Sequence, residues 1–239
     1  MNFEPDIFWQ ALTSRSLIEG AQLTVAVTLV SFVAGLIIGL LVALMRNSRN
    51  RVVRGIAWTY VWIFRGIPTL IQLFIVWYAL PQLFPIFRED WFIPFLAAVI
   101  ALSFNEAAYA AEILRGGLLA VDEGQRLAAR ALGMRPGKVF RKVIGPQLIR
   151  VTIPPMANDF ITLLKITSLA SVVSVRELMT NAQTAVASTF RFAEWYGAAA
   201  VWYLALVSIF MIGQAWLERR YVWTSQVEGR RSIMRVIGR

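Results

Sequence analysis

No charged side chain lies between Glu19 and Arg46, and that single stretch excludes most water-soluble folds. The hydrocarbon of a bilayer is about 30 Å thick, and a helix of about 20 residues crosses it while satisfying its own backbone. Four comparable stretches follow. Arg65 to Arg88 encloses no charge, Trp91 to Leu114 carries only Glu106 and Glu112, Val151 to Val175 carries only Asp159 and Lys165, and Trp195 to Leu217 carries none. The alternation of a lipid-facing barrel strand is missing. Composition agrees, since 58% of the 239 residues are hydrophobic and 16% charged, more apolar surface than a soluble interior hides. The expected fold class is all-α integral membrane with five transmembrane helices. One membrane domain is expected over residues 19–220, after an external segment, 1–18, and before a tail, 221–239. The first residues lack the basic start of a signal peptide and suit an interfacial helix with Phe8 and Trp9 at the headgroups.

Cations set the orientation. Arg46, Arg49, Arg51, Arg54 and Arg65 fall between spans one and two, read here as a loop. Arg115, Arg126, Arg130, Arg135, Lys138, Arg141, Lys142 and Arg150 fall between spans three and four, and six more arginines follow span five. The opposite side has only Arg15, Arg88, Arg176 and Arg191. The N-terminus is therefore expected outside and the C-terminus in the cytoplasm, as in a multi-pass protein of a bacterial inner membrane. The net charge of +10 is mostly this topology signal, with membrane lipid as the secondary partner and no nucleic acid. The chain has neither cysteine nor histidine, so disulfides, thiolate chemistry, the usual zinc sites and Ser-His or Cys-His pairs are excluded.

The segment between spans three and four, about residues 116–150, is long and patterned for structure. Asp122 suits an N-cap with Gln125 three residues on, an Ala-rich helix follows, and Gly133 suits its C-terminal stop. A second short helix is expected from Pro136, with Val139, Phe140, Val143 and Ile144 on one face and an end at Gly145-Pro146. By physics alone, this pair suits a partner's groove and a lipid surface equally. Gly133 to Lys138 fails as a phosphate loop, with too few residues between the glycines and Val139 after the lysine.

The run from Gly124 to Pro155 resembles the EAA loop of ATP-binding-cassette importer permeases. Ala128, Ala129, Gly133 and Pro146 stand at the motif positions, while Leu127 replaces the usual Glu and Gly145 the usual Leu. Phe64-Arg65-Gly66-Ile67-Pro68, Ala108 to Gly117, Pro155 to Phe160 and Leu163 to Leu169 resemble the polar amino acid branch. The resemblance spans about residues 18–220. It implies a transport subunit rather than an enzyme. It moves a polar amino acid or a similar solute into the cytoplasm by alternating access. The implied partners are a pair of cytoplasmic ATP-binding subunits, a second permease copy or paralogue, and an extracytoplasmic solute-binding protein. ATP and Mg then belong to the ATPase, and this chain holds no cofactor. Gly124, Leu127, Ala128, Ala129, Leu132 and Gly133 become the residues expected to couple to the ATPase.

Charges inside spans cost free energy and are functional candidates. Glu106 and Tyr109 share a face of span three. Asn158, Thr162 and Lys165 form a polar stripe on span four, with Asp159 at its edge and Ser168 continuing it. Two readings stay open for these residues: an intersubunit or interhelix hydrogen-bond network, or the lining of a solute path. If Glu106 and Asp159 face one cavity, they favour a cation, such as a basic amino acid. Glu112, three residues before Arg115, reads as a structural ion pair. Gly35 and Gly39 form a GxxxG pattern suited to close helix approach, in a dimer contact among other settings. The rival from another class is a stand-alone ion-coupled transporter or channel, which has no need of the long structured loop. A membrane enzyme is the third option, with no His, Cys or clustered carboxylate motif to support it.

Overall fold

Small residues decide how the first long helix packs. The computed structural model describes residues 3–221, all-α with no strand among them. The first short helix, α1 (Pro5–Leu12), leads into α2 (Arg15–Arg46), whose Ser14 N-cap accepts the amide hydrogen of Leu17. Thr24, Thr28, Ser31, Gly35 and Gly39 recur at helical spacing along one side of α2 and are all buried. Leu29, Val33, Ile37, Leu40 and Leu44 stand bare on the opposite side, as lipid contact demands. At 32 residues, α2 is about 48 Å long and projects beyond the hydrocarbon.

The small stripe packs on α5 (Pro94–Leu119), the most enclosed helix, through that helix's own Ala107, Ala110 and Ala111. A Cβ on Gly35 would lie 2.6 Å from Glu106 Cγ, and one on Gly39 would lie 2.7 Å from Ala110 Cβ. The GxxxG pattern thus serves an interface within the chain.

Between these two helices the chain departs from expectation. The arginine-bearing stretch read as a loop is a helix, α3 (Arg51–Gly66), capped by Asn50. It bends by 104° into α4 (Thr69–Leu83). The physical reason is amphipathicity: Ala57 and Val61 are buried while Arg51 and Arg54 stay in the open, so the arginines do not prevent helix formation. The bend falls at Pro68, which has no N–H to continue the ladder. The carbonyls it leaves open are met by side chains. Gln72 Nε2 donates to Phe64 O at 2.9 Å and Ile67 O at 2.8 Å, and Asn105 Nδ2 donates to Phe64 O at 3.1 Å. The geometry of span two is that of a broken span or a re-entrant loop, and its α4 limb covers only about 22 Å.

A short helix, α6 (Glu123–Ala131), precedes α7 (Pro136–Val173). The expected end at Gly145-Pro146 does not occur. The chain shifts to π-helical turns over Phe140–Ile144, where the Gly145 amide reaches back to Phe140 O, and then continues as α-helix. The widened turn lies directly before Pro146, which has no N–H to offer the helix. After a 3-10 stretch, Thr167–Val173, comes α8 (Leu178–Thr189), and α9 (Phe192–Tyr221) closes the bundle. Among the described residues four helices are individually long and apolar enough to span, and the count is five where the bent α3–α4 pair is taken as one span. Residues 222–239, which hold almost all of the expected tail, lie outside the described residues.

The end of the bundle opposite the α3 arginines is tied by polar contacts. Trp202 Nε1 donates to Leu12 O at 2.9 Å, Asn181 Nδ2 to Ser16 O at 2.6 Å, and Arg191 pairs with Glu4. Phe8 packs against the Ala198–Ala199 cluster while Trp9 stays exposed. Glu177 is the polar centre of this end. Fully buried, it caps α8 by accepting from Met179 N and Thr180 N at 2.8 Å each, and it accepts from Tyr203 Oη at 2.9 Å.

Candidate functional site

Two places in the fold collect the sequence-derived candidates. The first is the α5–α7 contact near mid-span. Glu106 is 3% exposed and occupies the space left by Gly35. Across the contact its carboxyl group meets that of Asp159. Glu106 Oε1 and Asp159 Oδ2 are buried, and among the described residues no other side chain donates to them; the two carboxyl groups are each other's hydrogen-bond partner through a shared proton. Two carboxyl groups in contact repel when both are ionised, so such a pair takes up a proton or a cation.

Arg65, at the end of α3, stands close enough to act on Asp159 electrostatically, and its guanidinium lies 5.2 Å from the centroid of the Tyr109 ring. A groove of about 440 Å³ opens along Arg65, Trp62, Tyr109 and Glu112. At its arginine-rich end Glu112 accepts from Arg115 at 2.8 Å and from Arg46 at 3.1 Å, so the i, i+3 pair expected from sequence gains a second arginine from α2.

The structure thus brings together Glu106, Asp159 and Tyr109 and adds Arg65, which the sequence offers as a topology cation and as part of the branch-like run but not as a site residue. The signal was present in the Arg65-Gly66-Ile67-Pro68 run, where a proline turns the arginine back against α5. The remaining stripe on α7 does not join them. Asn158 and Lys165 face outward, and the Thr162 and Ser168 hydroxyls donate to the helix's own carbonyls, Asn158 O at 3.1 Å and Lys165 O at 2.8 Å. Among the described residues none of these four side chains hydrogen-bonds another helix, so an interhelix network within this chain is not formed by them.

The second place is α6. Asp122 caps it, accepting from Gly124 N at 2.5 Å. Gln125 does not complete a capping box. Its Oε1 accepts from Gln147 Nε2 instead, tying α6 to α7. At the other end Gly133 adopts φ +73°, while Gly133 N donates to Arg130 O and Met134 N to Ala129 O. This paired closure needs a left-handed residue, which glycine adopts without strain. Of the coupling candidates, Ala129 is buried, while Gly124, Leu127, Ala128, Leu132 and Gly133 are exposed. Leu132 is 82% and Leu127 58% exposed on a helix otherwise rich in charge. An apolar edge flanked by a small residue such as Ala128 suits close approach by another protein surface.

Comparison with known proteins places this geometry in context. The family model described as binding-protein-dependent transport system inner membrane component matches residues 35–223. The arginine transport system permease protein ArgU of Corynebacterium glutamicum is 39% identical over 226 residues, covering 90% of this chain and 71% of that protein. The glutamine transport system permease protein GlnP of Escherichia coli K12 is 36% identical over 220 residues, covering 92% of this chain and 98% of that protein. A crystal structure of an amino acid ABC transporter with histidines superposes with a TM-score of 0.82 at 33% identity, covering 92% of this chain and 100% of that one. Matched over most of its length by the family model and by both relatives, the chain belongs to the inner membrane components of binding-protein-dependent transport systems.

Proposed function

We propose that this permease subunit carries a cationic amino acid through the α5–α7 contact, with Glu106 and Asp159 receiving the positive side chain and Arg65 the α-carboxylate. The observation that carries the reading is the buried carboxyl pair, facing each other across α5 and α7 with no cation among the described residues hydrogen-bonded to either. An amino acid with a cationic side chain presents one more positive than negative group, and the site offers two carboxyl groups to one guanidinium. Arginine is the solute named for one relative and glutamine for another. The pair of acids beside Arg65 favours the first. Tyr109 supplies an aromatic wall, and Asn158, Thr162, Lys165 and Ser168, on the open side of α7, face a second permease subunit across the path.

In this scheme α6 couples the chain to an ATPase. Leu127, Ala128 and Leu132 enter a groove of the ATP-binding subunit, and the two glycines set the ends of the helix. ATP and Mg stay on that partner. The arginine-rich end faces the cytoplasm, the α1 and α8 end faces outward, and a solute-binding protein delivers at the latter. Closure of an ATPase pair on ATP rocks two permease subunits outward-facing, and hydrolysis returns them.

The test is uptake into proteoliposomes holding the full complex, with arginine and glutamine compared. Each charge-assisted hydrogen bond is worth about 1.5–3 kcal/mol, so Glu106→Gln and Asp159→Asn should each lower arginine uptake at sub-saturating solute by roughly tenfold or more, and glutamine uptake far less. Unchanged arginine uptake in both variants would refute the assignment.

A further inference from the structure

Adjoining the groove along Arg65, and sharing Arg46 and Trp58 with it, is a cavity of about 520 Å³ at the arginine-rich end, between α2, α3 and α5, whose other residues the solute scheme leaves unused. Four guanidinium groups line it, those of Arg46, Arg51, Arg54 and Arg115, with Trp58 beside them. One carboxylate answers them, and Glu112 is already engaged by Arg46 and Arg115. Arg51 and Arg54 have no ion pair among the described residues. Both stand in the first turn of α3, which contains no acidic residue. There the helix dipole is positive and opposes them. Two cations placed against the dipole, next to two more, make a site that an anion completes.

The surroundings say what kind of anion. Trp58 is 53% and Trp62 63% exposed, and their rings stack at 6.1 Å with planes 4° apart. Bare indoles next to a cluster of arginines are the composition of a membrane–water interface. Guanidinium forks match phosphate oxygens in geometry as well as charge. A free phosphate would use only the arginines, whereas a phospholipid would use the arginines for its headgroup and the tryptophan face for its chains. We infer that this cavity is a binding site for an anionic phospholipid, with Arg51 and Arg54 as the phosphate ligands, Arg46 and Arg115 completing the positive field, and Trp58 and Trp62 flanking the acyl chains.

The experiment is native mass spectrometry of the full chain in its complex, released from nanodiscs of mixed phosphatidylglycerol and phosphatidylcholine. Wild type should retain phosphatidylglycerol in preference. The Arg51→Gln/Arg54→Gln variant should lose that preference by about tenfold or more, given two charge-assisted contacts. Arg130→Gln/Arg141→Gln, with the same change of charge elsewhere, should keep it. The wild-type measurement decides alone if the double variant does not accumulate: equal retention of the two lipids overturns the site. An equal loss in the control pair also overturns it, since bulk charge would then explain the binding. So does displacement of phosphatidylglycerol by inorganic phosphate at matching concentration, which would mean that the arginines read phosphate alone. Loss of a partner subunit with lipid retention unchanged would assign the cavity to a protein surface and overturn it as well.

Discussion

Gly35→Ala is the sharpest probe of how packing and solute binding are joined. The added Cβ would sit 2.6 Å from Glu106 Cγ, 2.7 Å from Glu106 Cβ and 3.1 Å from Ser103 O. Ordinary carbon contacts begin near 3.5 Å, so α2 must retreat from α5 by almost 1 Å or Glu106 must leave its rotamer. Neither escape is cheap, because the clash involves the root of the side chain and a backbone carbonyl rather than a free end. Overpacking of this kind costs about 1–3 kcal/mol, which for a chain of this size lowers the melting midpoint by roughly 2–12 °C. If Glu106 turns away, one charge-assisted contact to the solute is lost, and arginine affinity falls by roughly 10- to 150-fold. The control is Gly213→Ala, where nothing lies within 4 Å of the new methyl group. Both quantities are read on the purified complex, by a thermal unfolding series and by arginine uptake into proteoliposomes. Equal behaviour of the two alanine variants would refute both the close approach of α2 to α5 and the part given to Glu106.

Three further outcomes follow from other contacts. Ala128→Asp places charge and bulk on the open face of α6, so chain stability should be unchanged while solute-stimulated ATPase activity and uptake fall together; normal uptake would count against α6 as the coupling element. Glu177→Ala removes the α8 cap, worth about 0.5–2 kcal/mol, and strands Tyr203 Oη at about 1–3 kcal/mol, so the melting midpoint and the amount inserted in membranes should both drop. Gln72→Leu leaves Ile67 O without its donor at the α3–α4 bend and should cost about 1–3 kcal/mol in thermal stability, whereas the exposed Gln82→Leu should cost little.

The spans were legible because lipid tolerates so few exceptions. A charge-free run such as Glu19 to Arg46 has no alternative reading, and α2 begins and ends within a few residues of those marks. The ends of α6 were also legible, since Asp122 and Gly133 are used for reasons local to the backbone. Most of what escaped depended on partners distant in sequence. Arg51 and Arg54 suggested a loop because charge was weighed before periodicity; the amphipathic pattern of α3 is present in its residues, and only its burial face, Ala57 and Val61, depends on the bundle. Pro146 looked like a terminator because a π turn upstream is invisible in residue types. Glu177, between two apolar stretches, gave no sign that Thr24 and Tyr203 would close around it. The same holds for the solute candidates: spacing along α7 grouped Asn158 with Lys165, but only the neighbouring helix decides that Asp159 turns inward and they turn out.

The uninterrupted course of α7 has a mechanical meaning. From Pro136 to Val173 the helix runs 38 residues with no loop between the α6 contact and the carboxyl of Asp159. Val139, buried against the α6 region, and Asp159 lie about 30 Å apart on one shaft. In the proposed coupling scheme a displacement applied at the short helix reaches the acid as a swing of this helix about its π turn and the Pro154-Pro155 step, and a tilt of about 5° over that length moves Asp159 by about 2.6 Å relative to Glu106 on its neighbour. That stroke is comparable to a hydrogen-bond length, so a small rotation at one end opens or closes the carboxyl pair at the other.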